Sequence, residues 1–193
     1  MSRATRALIL ASVLVAGCSV SATRGDEVLC ALDDETVFVL VAQAVPSATL
    51  VPCLLEFPAG WTYGGSDVRD GLARYWLESD RAGPHAVEVA LSRTCDVSGL
   101  RDRSDPATEL GIRAFDEPLS YQPYNANRYF VFEGGCVVYR WRFSLGTEEA
   151  PNLAYEAVQA LTFLPRAHLV RLVDQEFGLT LCGAEASRCV DGS

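Results

Sequence analysis

The first 18 residues constrain this chain more than any other segment, because they decide in which compartment it folds. Two arginines precede an apolar run over residues 7–15, and Ala16 and Gly17 then lead to Cys18. A basic start, a short apolar run and small residues at a cleavage point are typical of a secretory signal peptide. The run is much shorter than the ~20 residues that cross a bilayer. We therefore expect an exported chain that loses residues 1–17.

The four residues Val15-Ala16-Gly17-Cys18 resemble the lipobox of bacterial lipoproteins. The resemblance implies that the Cys18 sulfur carries a diacylglyceryl group with acyl chains such as palmitate, and that Cys18 is the mature N-terminus. Two acyl chains hold a protein stably on a membrane, whereas one chain gives marginal binding. The chain is then expected on the outer face of the plasma membrane, attached only through Cys18. Plain secretion and a retained membrane anchor are the alternatives.

Seven cysteines are present, and subtracting Cys18 leaves an even number in an exported chain. Even cysteine counts outside the cytosol predict disulfides, and six cysteines allow fifteen pairings. Our favoured pairs are Cys182–Cys189, across a short glycine-containing loop, then Cys30–Cys53 and Cys95–Cys136. No Cys-x-x-Cys pair exists and neither histidine has a zinc-like spacing from a cysteine, so we expect no metal site.

Charge limits the partners of the mature chain. The whole chain has a net charge of −9, and losing Arg3 and Arg6 with the leader lowers it to −11. Nucleic acid is therefore not an expected partner, because binding to its backbone needs clustered positive charge. All the basic residues other than histidine are arginine, and arginine neither forms Schiff bases nor serves well as a general base.

Two segments predict antiparallel hairpins. Apolar and polar side chains alternate over 72–79 and 86–92, and the turn-forming residues 81–84 lie between them. Gly134-Gly135 separates two further β-rich runs, and such a pair favours a type I′ turn, since both central residues need positive φ. That turn would place Phe132 opposite Val137, and Tyr129 opposite Arg140.

Helices are expected mainly near the end of the chain. Residues 33–44 fit either a helix or a strand, because acids in a first turn favour a helix and the β-branched run favours a strand. Apolar residues from Leu153 to Leu164 recur at helical spacing, and a second helix is expected from Pro165 to Gly178. Together the segments predict an α+β fold, a disulfide-braced antiparallel sheet of about six strands with two C-terminal helices packed on it.

The organisation follows from these segments: residues 1–17 form a lipoprotein signal peptide, 18–29 a lipidated tether, and 30–193 a single extracytoplasmic α+β domain. The sequence at 58–61 and the order of elements resemble PsbP-like lipoproteins of actinomycetes. The stretches at 42–53, 81–83, 134–136 and 178–183 together resemble a group of membrane-anchored actinomycete proteins. That second resemblance implies location and disulfides, and no activity.

Residues for catalysis are few in this sequence. The two histidines, His85 and His168, accompany no Gly-x-Ser-x-Gly motif, and no glycine-rich phosphate loop is present. Carboxylate pairs such as Asp67 and Asp70 could serve a glycosidase, but they match ordinary surface acids. We therefore assign no catalytic residue and expect no cofactor.

Aromatic residues beside strands are the best candidates for ligand contact. Trp76 and Tyr129 fall on faces opposite the apolar ones, with Arg140 beside Tyr129 in the expected register. Exposed aromatics stack on sugars or fill a partner's pocket; alternatively they cover the second sheet face, and Arg140 makes a cation–π contact.

A cell-envelope lipoprotein that binds or scaffolds without catalysis is the function that these observations favour. An envelope glycan or a protein is the candidate partner. The alternatives are an envelope hydrolase that uses paired carboxylates and a carrier of a small apolar ligand.

Overall fold

The computed structural model describes residues 35–105, 110–118, 120–121, 124–143 and 149–182. The leader, the tether and the final residues, and with them Cys18, Cys30 and Cys189, lie outside this part of the chain. The elements in chain order are α1 (Glu35–Ala44), β1 (Leu50–Leu54), β2 (Trp61–Arg69), β3 (Leu72–Ser79), β4 (Gly83–Ser92), β5 (Arg101–Asp102), β6 (Arg113–Asp116), β7 (Ser120–Tyr121), β8 (Tyr124–Phe132), β9 (Gly135–Phe143), α2 (Ala150–Ala160), β10 (Leu161–Pro165) and α3 (Arg166–Phe177).

An antiparallel sheet forms the centre of the domain. Within the described residues it has eight strands in the order β2-β3-β4-β9-β8-β6-β5, with β7 also paired to β8, and β1 and β10 form a separate two-stranded ribbon. The predicted α+β class with an antiparallel sheet is confirmed. The strand number exceeds the expected six or so because short segments such as β5 and β7 have too few residues to show a periodic pattern.

The β3–β4 hairpin is confirmed, and its alternation explains its burial. Tyr75 and Leu77 on β3 and Val87 and Val89 on β4 are buried, whereas the intervening Trp76 is only partly buried. Because successive side chains of a strand point to opposite faces, this pattern defines a core face and an outer face of the sheet.

The β8–β9 hairpin forms, but the predicted register is wrong. Phe132 pairs with Gly135, so the two turn residues are Glu133 and Gly134, and each β8 residue faces a partner two positions earlier than expected. A shift of two keeps every side chain on its predicted face. The cause is a tertiary contact: Ser47 Oγ donates to the Gly134 carbonyl at 2.7 Å, and the backbone N–H of Thr49 donates to the Glu133 carbonyl at 3.1 Å.

The ambiguous N-terminal segment is a helix. Its valines are poor helix formers, but α1 packs against β2 and β3 and buries Phe38, Val41 and Ala42. Tertiary packing of one face supplies most of the stability of a short helix and outweighs such a weak propensity. A third helix, near the start of the chain, therefore joins the two that were predicted near its end.

The prediction of one helix continuing to Leu164 is wrong. Helix α2 ends at Ala160, and the next five residues form β10, which pairs with β1 from Leu54↔Leu161 to Leu50↔Pro165. A residue before proline disfavours helical backbone, so Leu164 is extended. The expected end of the last helix is confirmed, because Gly178 caps α3 with a φ of 62°.

A buried arginine joins the helices to the end of the described chain. Arg166, at the start of α3, donates to the Ala42 carbonyl at 2.5 Å and to the Cys182 carbonyl. Ala42 lies in the last turn of α1, where helix carbonyls lack intrahelical partners. Burial lowers the pKa of Arg166 from its usual value. The guanidinium thus caps one helix from the beginning of another.

The predicted Cys95–Cys136 disulfide is confirmed. Cys136 lies on the outer face, and the chain must pass from β4 across β9, β8 and β6 to reach β5 at the far edge. The disulfide fixes this crossing segment to the sheet. Outer-face residues Ala90, Val138 and Phe115 are buried, so this half of the outer face is covered.

Candidate functional site

The three ligand-binding candidates from the sequence, Trp76, Tyr129 and Arg140, all lie on the outer face of the sheet. One row across five strands contains, in spatial order, Gly65, Trp76, Glu88, Arg140 and Asn127. Trp76 and Arg140 are therefore separated by a single residue, Glu88. Tyr129 lies in the adjacent row, opposite Val138 and Phe115.

Trp76 and Arg140 are engaged with their neighbours through Glu88. The Trp76 Nε1 donates to a Glu88 carboxylate oxygen at 3.1 Å, and the other oxygen accepts from Arg140. The Trp76 ring also stacks on His85, with 5.3 Å between ring centroids, and the Arg74 guanidinium lies 5.9 Å from its centroid. These contacts favour the structural interpretation of Trp76 as part of the outer-face covering.

The expected pairing of Tyr129 with Arg140 is wrong, because it depended on the incorrect hairpin register. Arg140 faces Asn127 instead. Among the described residues, the cation–π contacts of the domain join Arg74 to Trp76 and Arg113 to Phe115. The three candidates thus share a face without forming one site.

A cleft that the sequence did not predict lies on the opposite side of the sheet, between α2 and the β8–β9 pair. Its volume is about 360 Å³, within the range typical of small-ligand sites. Twelve residues line it: Asp116, Glu117, Tyr124, Ala126, Asn127, Arg128, Trp141, Pro151, Ala154, Tyr155, Val158 and Gln159. We call this space the α2 cleft.

One wall of the α2 cleft is polar and its side chains hold one another in place. Arg128 binds Asp116 through two parallel hydrogen bonds of 2.6 and 3.1 Å, and Arg103 Nε lies 3.7 Å from the same carboxylate. The amide of Asn127 donates to the Glu117 carboxylate on the outer side of the sheet and is not part of this wall. Bidentate arginine–carboxylate pairs are both strong and geometrically specific, so this wall is rigid.

The other wall of the α2 cleft is apolar and comes from β9 and α2. Trp141 is only 4% exposed, and Ala154 and Val158 face it from the helix. The Trp141 Nε1 has no hydrogen-bond partner among the described residues, and the same holds for the Asn127 Oδ1. The two atoms lie on opposite sides of the sheet, because Asn127 belongs to the outer-face row with Arg140, whereas Trp141 lies on the core face. Buried polar atoms of this kind are unusual in folded proteins.

A second cleft of about 290 Å³ adjoins the first and shares Tyr155 and Gln159 with it. Tyr155 is 66% exposed and stands at the boundary between the two. The sequence carried a signal for it, since Tyr155 lies off the buried stripe of α2 that contains Leu153 and Ala157. A large aromatic on the solvent side of a short helix is unexplained by packing.

An ion pair holds α2 in place beside the sheet. Arg81, in the β3–β4 turn, contacts Glu156 at 2.6 Å. The hydrogen bond from Arg81 lowers the pKa of the Glu156 carboxyl below its ordinary value. Because Glu156 follows Tyr155 directly, this contact also ties the part of α2 that carries Tyr155 to the β3–β4 turn.

None of the cysteines that the structure describes has a free thiol. Cys53 and Cys182 are disulfide-bonded, as are Cys95 and Cys136; the predicted pairs Cys30–Cys53 and Cys182–Cys189 each include a residue outside the described chain. In the described ranges no group of three or more histidine, cysteine or carboxylate side chains could hold a metal ion. Nor does any helix there have the length and apolar character needed to span a bilayer.

No protein-family model matches the chain, and no curated protein or solved structure matches it either. The lipobox and the resemblances to actinomycete lipoproteins therefore stay predictions from the sequence.

Proposed function

We propose that this chain is a lipid-anchored binding module on the outer face of the plasma membrane, and that its ligand lies in the α2 cleft. The anchoring part depends on the leader and on Cys18. The binding part depends on the cleft. The single observation that carries it is the preformed cleft with one rigid polar wall and one aromatic–apolar wall, the usual design of a small-ligand site.

The arrangement of the carboxylates supports binding over hydrolysis. A glycosidase needs two carboxyl groups on opposite sides of the bond that it cleaves. Arg128 holds Asp116 on the polar wall, whereas Glu117 accepts from Asn127, whose side chain belongs to the outer-face row. The two carboxyl groups therefore do not face each other across the cleft.

The composition of the α2 cleft also argues against a carrier of an apolar ligand. A carrier of that kind shields its cargo in a cavity lined by hydrocarbon. Here the Asp116 carboxylate and the Arg128 guanidinium form one wall, and covering them with an apolar molecule would remove their water without replacing its hydrogen bonds. A ligand with several polar groups fits better.

Metabolic labelling with a fatty-acid analogue tests the anchor. We expect the natural chain to incorporate the label and the Cys18→Ser chain to lose it, with the natural chain in the membrane fraction. Equal labelling of the two chains would contradict the anchoring proposal.

Retention on insoluble envelope material tests the binding site. The full chain in detergent is sedimented with that material, and Tyr155→Ala is compared with Leu40→Ala. Leu40 is a matched control, because it is an exposed apolar residue, 48% accessible, on another helix. We expect Tyr155→Ala to lower the retained fraction and Leu40→Ala to leave it unchanged. Equal retention of the two variants, or no retention of the natural chain, would refute binding at this cleft.

A further inference from the structure

We infer that the ligand of the α2 cleft is a short peptide with a free C-terminal carboxylate, and that Arg128 binds this carboxylate. The inference rests on the proposed binding function and names the class of molecule that would be bound. Four features lead to it: an open edge of the Arg128 guanidinium, the arginines beside it, the apolar wall of the α2 cleft, and the acidic residues of the second cleft.

One edge of the Arg128 guanidinium is occupied and the other is open. Asp116 accepts from Nε at 2.6 Å and from Nη2 at 3.1 Å. A guanidinium has five N–H donors in one plane, so a second edge remains, made of Nη1 and the other hydrogen of Nη2. Nη1 donates to no residue that the structure describes, and the Arg128 side chain is 36% exposed where it lines the α2 cleft. A carboxylate fits such an edge through two parallel hydrogen bonds.

This guanidinium lies on the same side of the sheet as α2, among other arginines. Arg128 is opposite the core residue Tyr139 on one neighbouring strand and opposite Asp116 on the other. Arg101 is opposite Asp116 on β5, so it shares that face. The Nε of Arg103 lies 3.7 Å from the same carboxylate. We call Arg101, Arg103 and Arg128 the arginine cluster.

The charge of the arginine cluster suits an anion with a single negative charge. Its three guanidiniums exceed the two neighbouring carboxylates, Asp116 and Glu117, by one positive charge. A phosphate monoester carries about −1.5 to −2 at neutral pH and would place the excess negative charge beside Asp116. A carboxylate balances the cluster, so we assign a carboxylate rather than a phosphate.

The apolar wall of the α2 cleft suits the side chain next to that carboxylate. Ala126, Ala154 and Val158 line this wall, and an apolar C-terminal side chain placed there is removed from water. Gln159 lies at the boundary with the second cleft. Its planar amide has both donors and an acceptor, which a peptide group can complement.

The second cleft suits a positively charged group at the other end of the peptide. Glu56 and Glu156 both line it, and Arg81 contacts Glu156, so one carboxylate is in excess over the arginine. An ammonium group is attracted to such an excess. A peptide that carries one amine and one carboxylate is close to neutral, so the net charge of −9 on the chain does not repel it.

Two peptides that differ in one group test the inference by isothermal titration of the full chain in detergent. One is Lys-Ala-Leu with an acetylated N-terminus and a free C-terminal carboxylate, and the other is the same peptide with a C-terminal amide. The amide has the same size but no charge and a single acceptor oxygen. We expect the free acid to bind about tenfold more tightly or better. Equal affinities, or binding of neither peptide, would overturn the inference.

Arg128→Gln locates the recognition of the carboxylate. We expect it to lower the affinity for the free acid to that for the amide, because the charged two-donor edge is gone. Arg113→Gln is the matched control: Arg113 also pairs with a carboxylate, that of Asp102, but it lies on the outer face of neighbouring β6, so the preference should persist. Thermal unfolding shows whether each variant is folded, and an unchanged preference in a folded Arg128→Gln would overturn the inference.

Glu56→Gln tests the other end of the peptide and leaves the Arg128–Asp116 pair intact. Glu56 is exposed, and its substitution removes a negative charge from the second cleft. We expect the affinity for both peptides to fall several-fold, with the preference for the free acid retained. Unchanged affinities would overturn the placement of the lysine side chain in the second cleft.

The failure of this inference is distinguishable from the failure of the proposed function. If the envelope material retains the chain in a Tyr155-dependent manner while neither peptide binds, the peptide inference is wrong and the binding module stands. Loss of retention altogether removes the basis of both.

Discussion

The turn of the β8–β9 hairpin gives the sharpest test of how tertiary contacts set this fold. Gly134 has a φ of +69°, and a Cβ added there would lie 1.8 Å from the backbone oxygen of Ser47. Gly134→Ala therefore has two costs. The left-handed backbone costs about 1–2 kcal/mol for a residue with a side chain, and relieving the clash requires the turn to move away from Ser47 and Thr49.

Moving the turn would break its hydrogen bonds to the α1–β1 connection. Ser47 Oγ donates to the Gly134 carbonyl at 2.7 Å, while the Thr49 N–H and hydroxyl both donate to the Glu133 carbonyl, at 3.1 and 2.8 Å. Each such bond contributes about 0.5–1.5 kcal/mol net. With the backbone term, we expect Gly134→Ala to lower the free energy of unfolding by about 3–5 kcal/mol.

Gly178→Ala is the matched control for this substitution. Gly178 has a similar φ of +62°, but no atom lies within 4 Å of the position of an added Cβ. It should show the backbone cost alone, about 1–2 kcal/mol. Urea unfolding followed by tryptophan fluorescence measures both variants, with the slope of the transition checked for constancy. Equal destabilisation by the two substitutions would refute the claim that the docked turn fixes the hairpin register.

Three further predictions concern other parts of the domain. Trp76→Phe should destabilise the fold more than Trp141→Phe in urea unfolding. Trp76→Phe loses a hydrogen bond to a carboxylate, worth about 1.5–3 kcal/mol, whereas Trp141→Phe removes an unpaired buried donor. A larger destabilisation by Trp141→Phe would contradict this prediction. Replacing Cys95 and Cys136 together by alanine should cost about 3–4 kcal/mol for a link between residues 41 apart, and a loss below about 1 kcal/mol would show that the crossing segment needs no covalent bond. Hydrogen bonds from Ser104 and then Arg113 lower the pKa of Asp102 to about 2 from 3.8. A lowered pKa means that this contribution to stability is complete above pH 3.8 and is lost as the pH falls towards 2. Asp102→Asn should therefore reduce the pH dependence of the free energy of unfolding between these two values. An NMR titration midpoint of Asp102 near 3.8 would disprove the lowered pKa.

The two hairpins show how much of a β-hairpin can be predicted from the sequence pattern of its strands and turn. The alternation over Leu72–Ser79 predicted both the strand β3 and which of its side chains are buried, because each side chain's own polarity indicates the face on which it lies. The glycine pair at 134–135 predicted a hairpin as well. Because either glycine can adopt a turn conformation, the pair does not decide which two residues form the turn. Ser47 and Thr49, more than eighty residues away, select Glu133–Gly134. Local sequence therefore determined that a turn forms, and a distant contact determined where.

The helices show the limits of periodicity in the same way. Leu161 and Leu164 continue the apolar spacing of α2, yet they lie on β10 because β1 supplies a strand partner. The α2 cleft was also beyond prediction. Asp116, Arg128 and Trp141 come from three strands, and only the strand order brings them to one space. Our sequence analysis missed Tyr155, although an aromatic off the buried stripe of its helix is a signal that could have found it.

Sequence alone determined the features that depend on neighbouring residues: the alternation of β3 and β4, the end of α3 at Gly178, and the α+β class. The Cys95–Cys136 pair was also among the favoured pairings. Tertiary structure decided the hairpin register, the β1–β10 ribbon and the α2 cleft. These depend on contacts between residues far apart in the chain, and the energies of such contacts exist only once the chain has brought those residues together.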